Sequence, residues 1–417
     1  MGTQAVFSAS VKGATTMNVV VLGAGHMGRY AAIQLAALPF VHDLVIGDLD
    51  EEGARSVAET LGRKARPAHI DATNRDQLKA VLEEADVVVS TVGPFFRIGA
   101  AVLDAAVQMG CHYVDICDDP APTLELLSRD ATAREAKVTA IVGAGASPGI
   151  SNLLALKAIE GLEEIDTLIT GWGTGGQEDD PEEEPSHRGA SAAVEHWVSQ
   201  LVGPIPIQDD GRQVQGKPMA PTSIRLPGSA PITAYTVGHP EPVTLPRYFP
   251  AIRHSINVFD MPRAVVVLLE ETIRSVTSGR LSVSEASRQL TGALYDGQIG
   301  PGGMRGAVRA GAAAARERVT GKDYLPQIFA LATGRRAGRR ETRATALNGY
   351  IPGGMAAATC IPTTIMLTML AEDEIDRRGV FAPEAGVDPD RFFARLAPHI
   401  VRDSTSDGEG PVRFLNE

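Results

Sequence analysis

Gly23, Gly25 and Gly28 stand in the run Gly-Ala-Gly-His-Met-Gly, directly after the apolar stretch Asn18–Leu22 and ahead of a helical pattern. A phosphate can approach a backbone only where side chains are absent and N–H groups point outward. A strand, a tight turn and a helix start with glycines at this spacing supply both conditions. Gly23 permits the turn, Gly25 with His26 and Met27 lets the backbone approach a pyrophosphate, and Gly28 lets the helix pack close to the strand. Asp48 ends the second apolar run, 20 residues after Gly28, where a carboxylate takes the ribose hydroxyls of an adenosine half. Asp48 can also simply open the turn into the next helix; the glycines favour the ribose. The same carboxylate repels a 2′-phosphate, and Leu49, Asp50, Glu51 and Glu52 follow with no arginine. NAD is therefore expected in preference to NADP. Asp71, after the third strand candidate, is placed where adenine belongs. Thr91, Val92 and Gly93, after the fourth, are placed along the nicotinamide ribose, although Gly93-Pro94 is equally a turn signal.

Hydride transfer needs little from a protein beyond placement, an acid or base, and a group to hold a substrate carboxylate. Asp115 ends the fifth strand candidate, at the sheet edge where ligands bind in α/β folds, and in an alternating strand it shares a face with Tyr113. It can act as a base or orient an amine; equally it can serve as a loop carboxylate. Ser147 with Pro148 reads as a helix cap with proline in the first turn, a start that can hold a carboxylate or merely cross between domains. His239, Glu241 and Arg247, stiffened by Pro240, Pro242 and Pro246, form a charged loop that can supply an acid–base pair and a carboxylate clamp, or only surface ion pairs. Cys111, His112 and Cys117 match no usual metal-ligand spacing, and no metal is expected.

These residues need elements to position them. Apolar strands are expected at Asn18–Leu22, Asp43–Gly47, Ala65–Ile70, Asp86–Ser90, His112–Asp115 and Val138–Val142. Helices are expected at Met27–Leu38, Glu51–Leu61, Asn74–Glu83, Ile98–Met109 and Leu124–Ala136. Strands alternating with helices give right-handed βαβ units and a parallel sheet. The fold class expected is α/β: an N-terminal Rossmann doubly wound parallel sheet plus a C-terminal α+β domain with a mixed sheet and added helices. The division expected is a disordered leader (1–16), a Rossmann domain (17–150), a substrate-binding and dimerisation domain (151–350) and a helical segment (351–417) packing back on the Rossmann domain. In the second domain, strands are expected at Asp166–Gly171, Thr222–Leu226 and Ile232–Thr236, and a hairpin joins Gln327–Thr333 to Glu341–Leu347. Helices are expected at Ser151–Gly161, Ser191–Val202, Ala264–Val276, Ser282–Leu294, Ala307–Arg318 and Met355–Leu370. Gly173–Ser186, with its run of acids, reads as a mobile loop.

The formal net charge of -12 draws the chain, by its overall field, neither to nucleic acid nor to an anionic membrane. The basic cluster Arg335, Arg336, Arg339 and Arg340 flanks Gly338 and reads as a solvated hairpin turn. Three cysteines without a C-x-x-C pair make a poor disulfide framework, and a cytoplasmic location is expected. Ile361–Ala371 is apolar but short for a membrane span, with Pro362 inside it.

Asp86–Phe95 (Asp-Val-Val-Val-Ser-Thr-Val-Gly-Pro-Phe), Cys111–Asp115 and Gly145–Asn152 resemble the saccharopine dehydrogenase-like family, as do His239–Leu245 and Gly379–Glu384. The resemblance covers the Rossmann part well and the rest in islands; residues 255–325 have no counterpart in it. It implies an NAD(P)-dependent dehydrogenase or reductase acting at a C–N bond of an amino acid, opine or polyamine-like small molecule, and a homodimer. Two other readings share the fold: a synthase or lyase that retains NAD without net redox change, and a non-catalytic dinucleotide sensor.

Overall fold

The structure, a computed structural model, describes residues 14–174, 187–321, 323–402, 406 and 408–416. Most of the leader and of the acidic loop expected at Gly173–Ser186 lie outside these residues. Strands and helices alternate as β1 (Met17–Leu22), α1 (His26–Ala36), β2 (Val41–Asp48), α2 (Glu51–Leu61), β3 (Ala65–His69), α3 (Arg75–Leu82), β4 (Val87–Ser90), α4 (Phe95–Met109), β5 (His112–Asp115), α5 (Pro120–Leu127), α6 (Asp130–Glu135), β6 (Thr139–Ile141) and α7 (Ile150–Ile159). Next come β7 (Glu164–Trp172), α8 (His187–Gln200), β8 (Ile205–Asp209), β9 (Arg212–Gly216), β10 (Pro221–Ile224), β11 (Ile232–Val237), α9 (Glu241–Tyr248) and β12 (Ile252–Phe259). Then follow α10 (Arg263–Thr277), α11 (Val283–Tyr295), α12 (Gly303–Thr320), β13 (Ile328–Arg336), β14 (Arg339–Leu347), α13 (Gly354–Ala371), β15 (Gly379–Phe381), α14 (Pro389–Leu396) and β16 (Val412–Asn416).

The chain folds into two compact units. One holds residues 1–157 with 351–401 and 409–411; the other holds 158–350 with 402–408 and 412–417. In the first, seven strands pair in the order β15-β6-β5-β4-β1-β2-β3, every pairing parallel. The order reverses at β1 and β4, which makes their carboxyl ends the binding edge of an open α/β sheet. Strands buried on both faces read as continuous apolar runs: Val19, Val20 and Val21, and Val87, Val88 and Val89, are all buried. Asp50 and Asn74 cap α2 and α3 by accepting backbone N–H bonds.

Differences from expectation have local causes. One helix was expected at Leu124–Ala136, but α5 begins at Pro120, because proline is at home in a first turn. It stops at Ser128, whose hydroxyl donates to the Glu125 carbonyl, and α6 follows. The final segment is not all helical. β15 adds an edge strand to the parallel sheet, and β16 pairs with β14 in the second unit. The apolar run near Ile361 belongs to an 18-residue helix that Pro362 does not end; it is long and apolar enough to cross a membrane, yet 89% of it is buried inside the protein. It packs against α1, and the Cys360 thiol donates to the Met27 carbonyl.

The second unit is a mixed sheet in the order β10-β11-β12-β7-β13-β14-β16, with the β8–β9 hairpin attached at β12. β12 and β7 run parallel, and their neighbours are antiparallel. The β13–β14 turn pairs Arg336 with Arg339 and leaves the arginines around it exposed. Both tryptophans of the chain lie in one aromatic cluster: Trp172 stacks on Phe259 at 5.2 Å, and Trp197 meets Phe259 edge-on at 5.8 Å.

Candidate functional site

The glycine loop joins β1 to α1 at the switch point. Gly23 has φ +103°, a conformation that disfavours a side chain. A Cβ there would also come within 2.6 Å of the Thr91 hydroxyl oxygen. Gly28 is pressed against the backbone of Gly23, so the helix starts hard against the strand. Gly25 differs: it is the N-cap of α1, exposed, and a Cβ on it would meet nothing within 4 Å. Sterics inside the protein require the first and third glycines, while the second leaves room above a helix N-terminus whose N–H groups favour an anion. His26 is exposed and Met27 half-buried beside it.

Asp48 ends β2 with its carboxylate turned to this loop. It accepts the Ala24 N–H at 2.6 Å and the Asp50 N–H at 2.8 Å. Asp48 thus fixes the glycine loop, a task that sequence reasoning missed. Thr91 closes the other side: its N–H and its hydroxyl both donate to the Leu22 carbonyl, at 2.8 and 2.9 Å. Val92 is half-buried and Gly93 exposed at the start of α4. Asp71 sits after β3 and accepts two bonds from Thr73, from the N–H at 2.9 Å and the hydroxyl at 2.7 Å. The Thr73 hydroxyl and then its N–H hold the Asp71 carboxyl below its ordinary range.

Asp115 is fully buried. It accepts the Tyr113 hydroxyl at 2.7 Å, the Gly143 N–H at 2.7 Å and the Cys117 N–H at 3.0 Å. Tyr113 and Asp115 do share a face, but the carboxylate is spent on tying β5 to the loops after β5 and β6. Burial pushes its pKa up to about 6 against the downward pull of these donors. The geometry is that of a loop carboxylate rather than of a base open to a ligand. The His112 Nδ1 accepts the Thr139 N–H at 3.0 Å, and burial pushes Cys111 up to about 12.

Ser147 is not a helix cap. α7 begins at Ile150, and Gly149, at φ +127°, turns the chain into it. Asn152 accepts the Gly149 N–H at 2.8 Å and donates to Glu384 at 2.8 Å, so a side chain inside the helix does the work assigned to Ser147. Ser147 is half-buried in the loop from Gly143 to Gly149. The loop is braced by α13, where the Thr363 hydroxyl donates to the Ala144 carbonyl at 3.0 Å. No local pattern signals the bonds to Glu384 and from Thr363; they join positions more than 200 residues apart.

In the second unit His239 and Glu241 are buried, with Nδ1 and Oε2 3.7 Å apart. They do not lie in a stiff loop. Glu241 opens α9, whose first turn accepts Pro242 readily. Pro246 cannot donate to the Pro242 carbonyl, and the Gln213 amide does so instead at 2.8 Å. Arg247 is exposed near the far end of this helix, so the structure brings His239 and Glu241 together but not Arg247.

Residues 19–141 match the family profile of the saccharopine dehydrogenase NADP binding domain. Over 96% of its length the chain has the fold of a saccharopine dehydrogenase (L-Glu forming) from Saccharomyces cerevisiae, covering all of that chain with TM-score 0.60 and 16% identity. A homospermidine synthase from Legionella pneumophila, solved with NAD, is similar over 95% of this chain and 91% of its own, with TM-score 0.58 and 12% identity. In sequence, a trans-acting enoyl reductase of Mycobacterium leprae is 27% identical over 146 residues, 33% of this chain and 35% of that one. The chain thus spans about a third of the length of the curated relatives it matches. With the glycine loop and Asp48 in the geometry described, residues 19–141 match an NAD(P)-binding domain of the saccharopine dehydrogenase type, and the chain as a whole shares the saccharopine dehydrogenase fold.

Proposed function

We propose that the protein is an NAD(P)-dependent dehydrogenase or reductase that moves hydride to or from a carbon bonded to nitrogen, in a substrate of amino-acid, opine or polyamine type. The observation that carries the cofactor half is the contrast among the three glycines: open space at Gly25 beside closed packing at Gly23 and Gly28. NAD is the dinucleotide we propose it prefers, because Asp48 and the acids after it repel a 2′-phosphate. The bound nicotinamide supplies the hydride chemistry. The N–H groups of Gly25, His26 and Met27 would hold the pyrophosphate, Asp48 the adenosine ribose, Asp71 the adenine side, and Thr91, Val92 and Gly93 the nicotinamide ribose. Asp115 serves as a positioning residue that holds the loop carrying Ser147. The buried His239–Glu241 pair is the proposed acid–base device.

A second reading has one observation in its favour. The relative from Mycobacterium leprae is called an enoyl reductase, which makes a carbon–carbon double bond the alternative hydride acceptor. The C–N reading is preferred because a saccharopine dehydrogenase and a homospermidine synthase share the fold over nearly the whole chain.

The test is a titration of the full chain with NADH and NADPH, followed by nicotinamide fluorescence, then turnover assays with amino acids, cyclic imines and α,β-unsaturated acyl compounds. Saturable NADH binding with turnover of the nitrogen compounds supports the proposal. Turnover of the unsaturated compounds alone moves it to the second reading. Binding with no net change in nicotinamide absorbance points to a synthase that retains NAD or to a sensor. Failure of the folded protein to bind either nucleotide sinks the proposal.

A further inference from the structure

Helix α12 packs on α10 through its buried Gly306 and Ala310. The opposite face is unusual for a helix surface. Met304, Val308, Gly311, Ala312, Ala315 and Val319 recur at steps of three and four residues, which places them in one stripe along the axis. All six are exposed, and the large ones heavily so: Met304 by 65%, Val308 by 63% and Val319 by 87%. Isolated exposed apolar residues are ordinary, but an aligned stripe on a helix of about 27 Å marks a contact surface.

The charges beside the stripe indicate what covers it. Arg305, Arg316 and Arg318 are exposed along its edges. The remaining arginine of the helix, Arg309, is committed to Glu270 and Glu271. The one acid of α12, Glu317, is half-buried and turned inward, accepting from the Arg263 N–H and the Tyr324 hydroxyl. The outward face is therefore apolar with a purely cationic rim, on a chain whose net charge is -12. A second copy laid antiparallel on this stripe would set Arg305 against Arg316 and Arg318 of its mate, which repels. A surface of anionic lipid headgroups meets the rim with opposite charge and takes the apolar stripe a few ångströms below it.

We propose that the outward face of α12 docks on an anionic lipid surface. This departs from the expectation drawn from overall charge, because headgroups act on the local face within a Debye length rather than on the sum over the molecule. It does not depend on the redox reading.

Flotation of the full chain with vesicles tests it, using phosphatidylcholine alone and phosphatidylcholine with phosphatidylserine. The chain is expected to float with the anionic vesicles, and less so as salt is raised. Arg305→Gln and Arg316→Gln should each lower partitioning by about five-fold, and Val308→Asp should abolish it. These positions are exposed, so the variants should melt with the wild type. Absence of flotation, or flotation unchanged in the variants, overturns the proposal. So does a concentration-dependent dimer that Val308→Asp dissociates, which would assign the face to a second copy.

Discussion

The first helical turn of α1 lies so close to the strand end that a Cβ on Gly28 would overlap the carbonyl oxygen of Gly23, while one on Gly25 would meet nothing within 4 Å. Two glycines of the same motif are thus expected to fail in different ways. Gly28→Ala should cost about 2–3 kcal/mol of stability, because a backbone atom rather than a flexible side chain must give way. Gly25→Ala should cost under about 1 kcal/mol yet weaken NADH binding at least about ten-fold, since its methyl group would take the space proposed for the pyrophosphate. Denaturant melts alongside nucleotide titrations check both. Equal loss of stability in the two variants would show that the space at Gly25 has no ligand-binding purpose.

Asp48 accepts the Ala24 N–H and is the carboxylate proposed to hold the adenosine ribose. Asp48→Asn keeps an acceptor for the loop and removes the charge. It should lower NADH affinity by about ten-fold, as expected for loss of a charge-assisted bond, and narrow the preference for NADH over NADPH. The ratio of the two dissociation constants is the readout. An unchanged ratio would mean that Asp48 shapes the loop without selecting the nucleotide.

Asp115 has a pKa raised from 3.8 to about 6, chiefly by burial. The folded state therefore binds more protons than the unfolded state between these values. This group's contribution to stability is complete at low pH and is lost as pH rises from about 4 to about 6. Asp115→Asn should remove that dependence while still accepting the Gly143 and Cys117 N–H bonds. Asp115→Ala should destabilise by about 3 kcal/mol or more, leaving three buried donors without an acceptor. Urea melts at pH 4.5 and 7 distinguish the variants; the same pH slope in wild type and Asp115→Asn would show that another group titrates in this range.

Gln213 supplies the donor that Pro246 withholds from the Pro242 carbonyl. Gln213→Ala should cost about 1 kcal/mol. Pro246→Ala should cost less in the Gln213→Ala background than in the wild type, because it restores an amide to the same carbonyl. A double-mutant cycle measures the coupling, and strict additivity would dissociate the two residues.

The parallel sheet was legible because its information is local. Runs such as Val19–Val21 and Val87–Val89, the helix caps at Asp50 and Asn74, and the glycine spacing all act within a few residues of themselves. His112–Asp115 and Glu51–Leu61 have the bounds expected from pattern alone. What escaped was settled by distant partners. β15 has three residues and is held through β6, some 240 positions earlier in the chain. The turn into α7 is capped by Asn152 rather than Ser147 because Glu384 orients that amide. Asp115 stood at the right edge of the sheet, yet nothing near it in sequence foretells that the Gly143 N–H would claim its carboxylate. The β8–β9 hairpin is different: Asp210-Gly211 between its strands is itself a local turn signal.

The pairing of Trp172 and Trp197 around Phe259 has an optical consequence. The chain has no other tryptophan, and both lie in the mixed-sheet unit. Excited selectively, the protein emits from this one cluster, so its spectrum reports melting of that unit and is silent about the dinucleotide-binding unit. Emission and far-ultraviolet circular dichroism recorded through one denaturant series therefore show whether the two units unfold together or in sequence: coincident curves mean a single cooperative transition, and separated ones mean two.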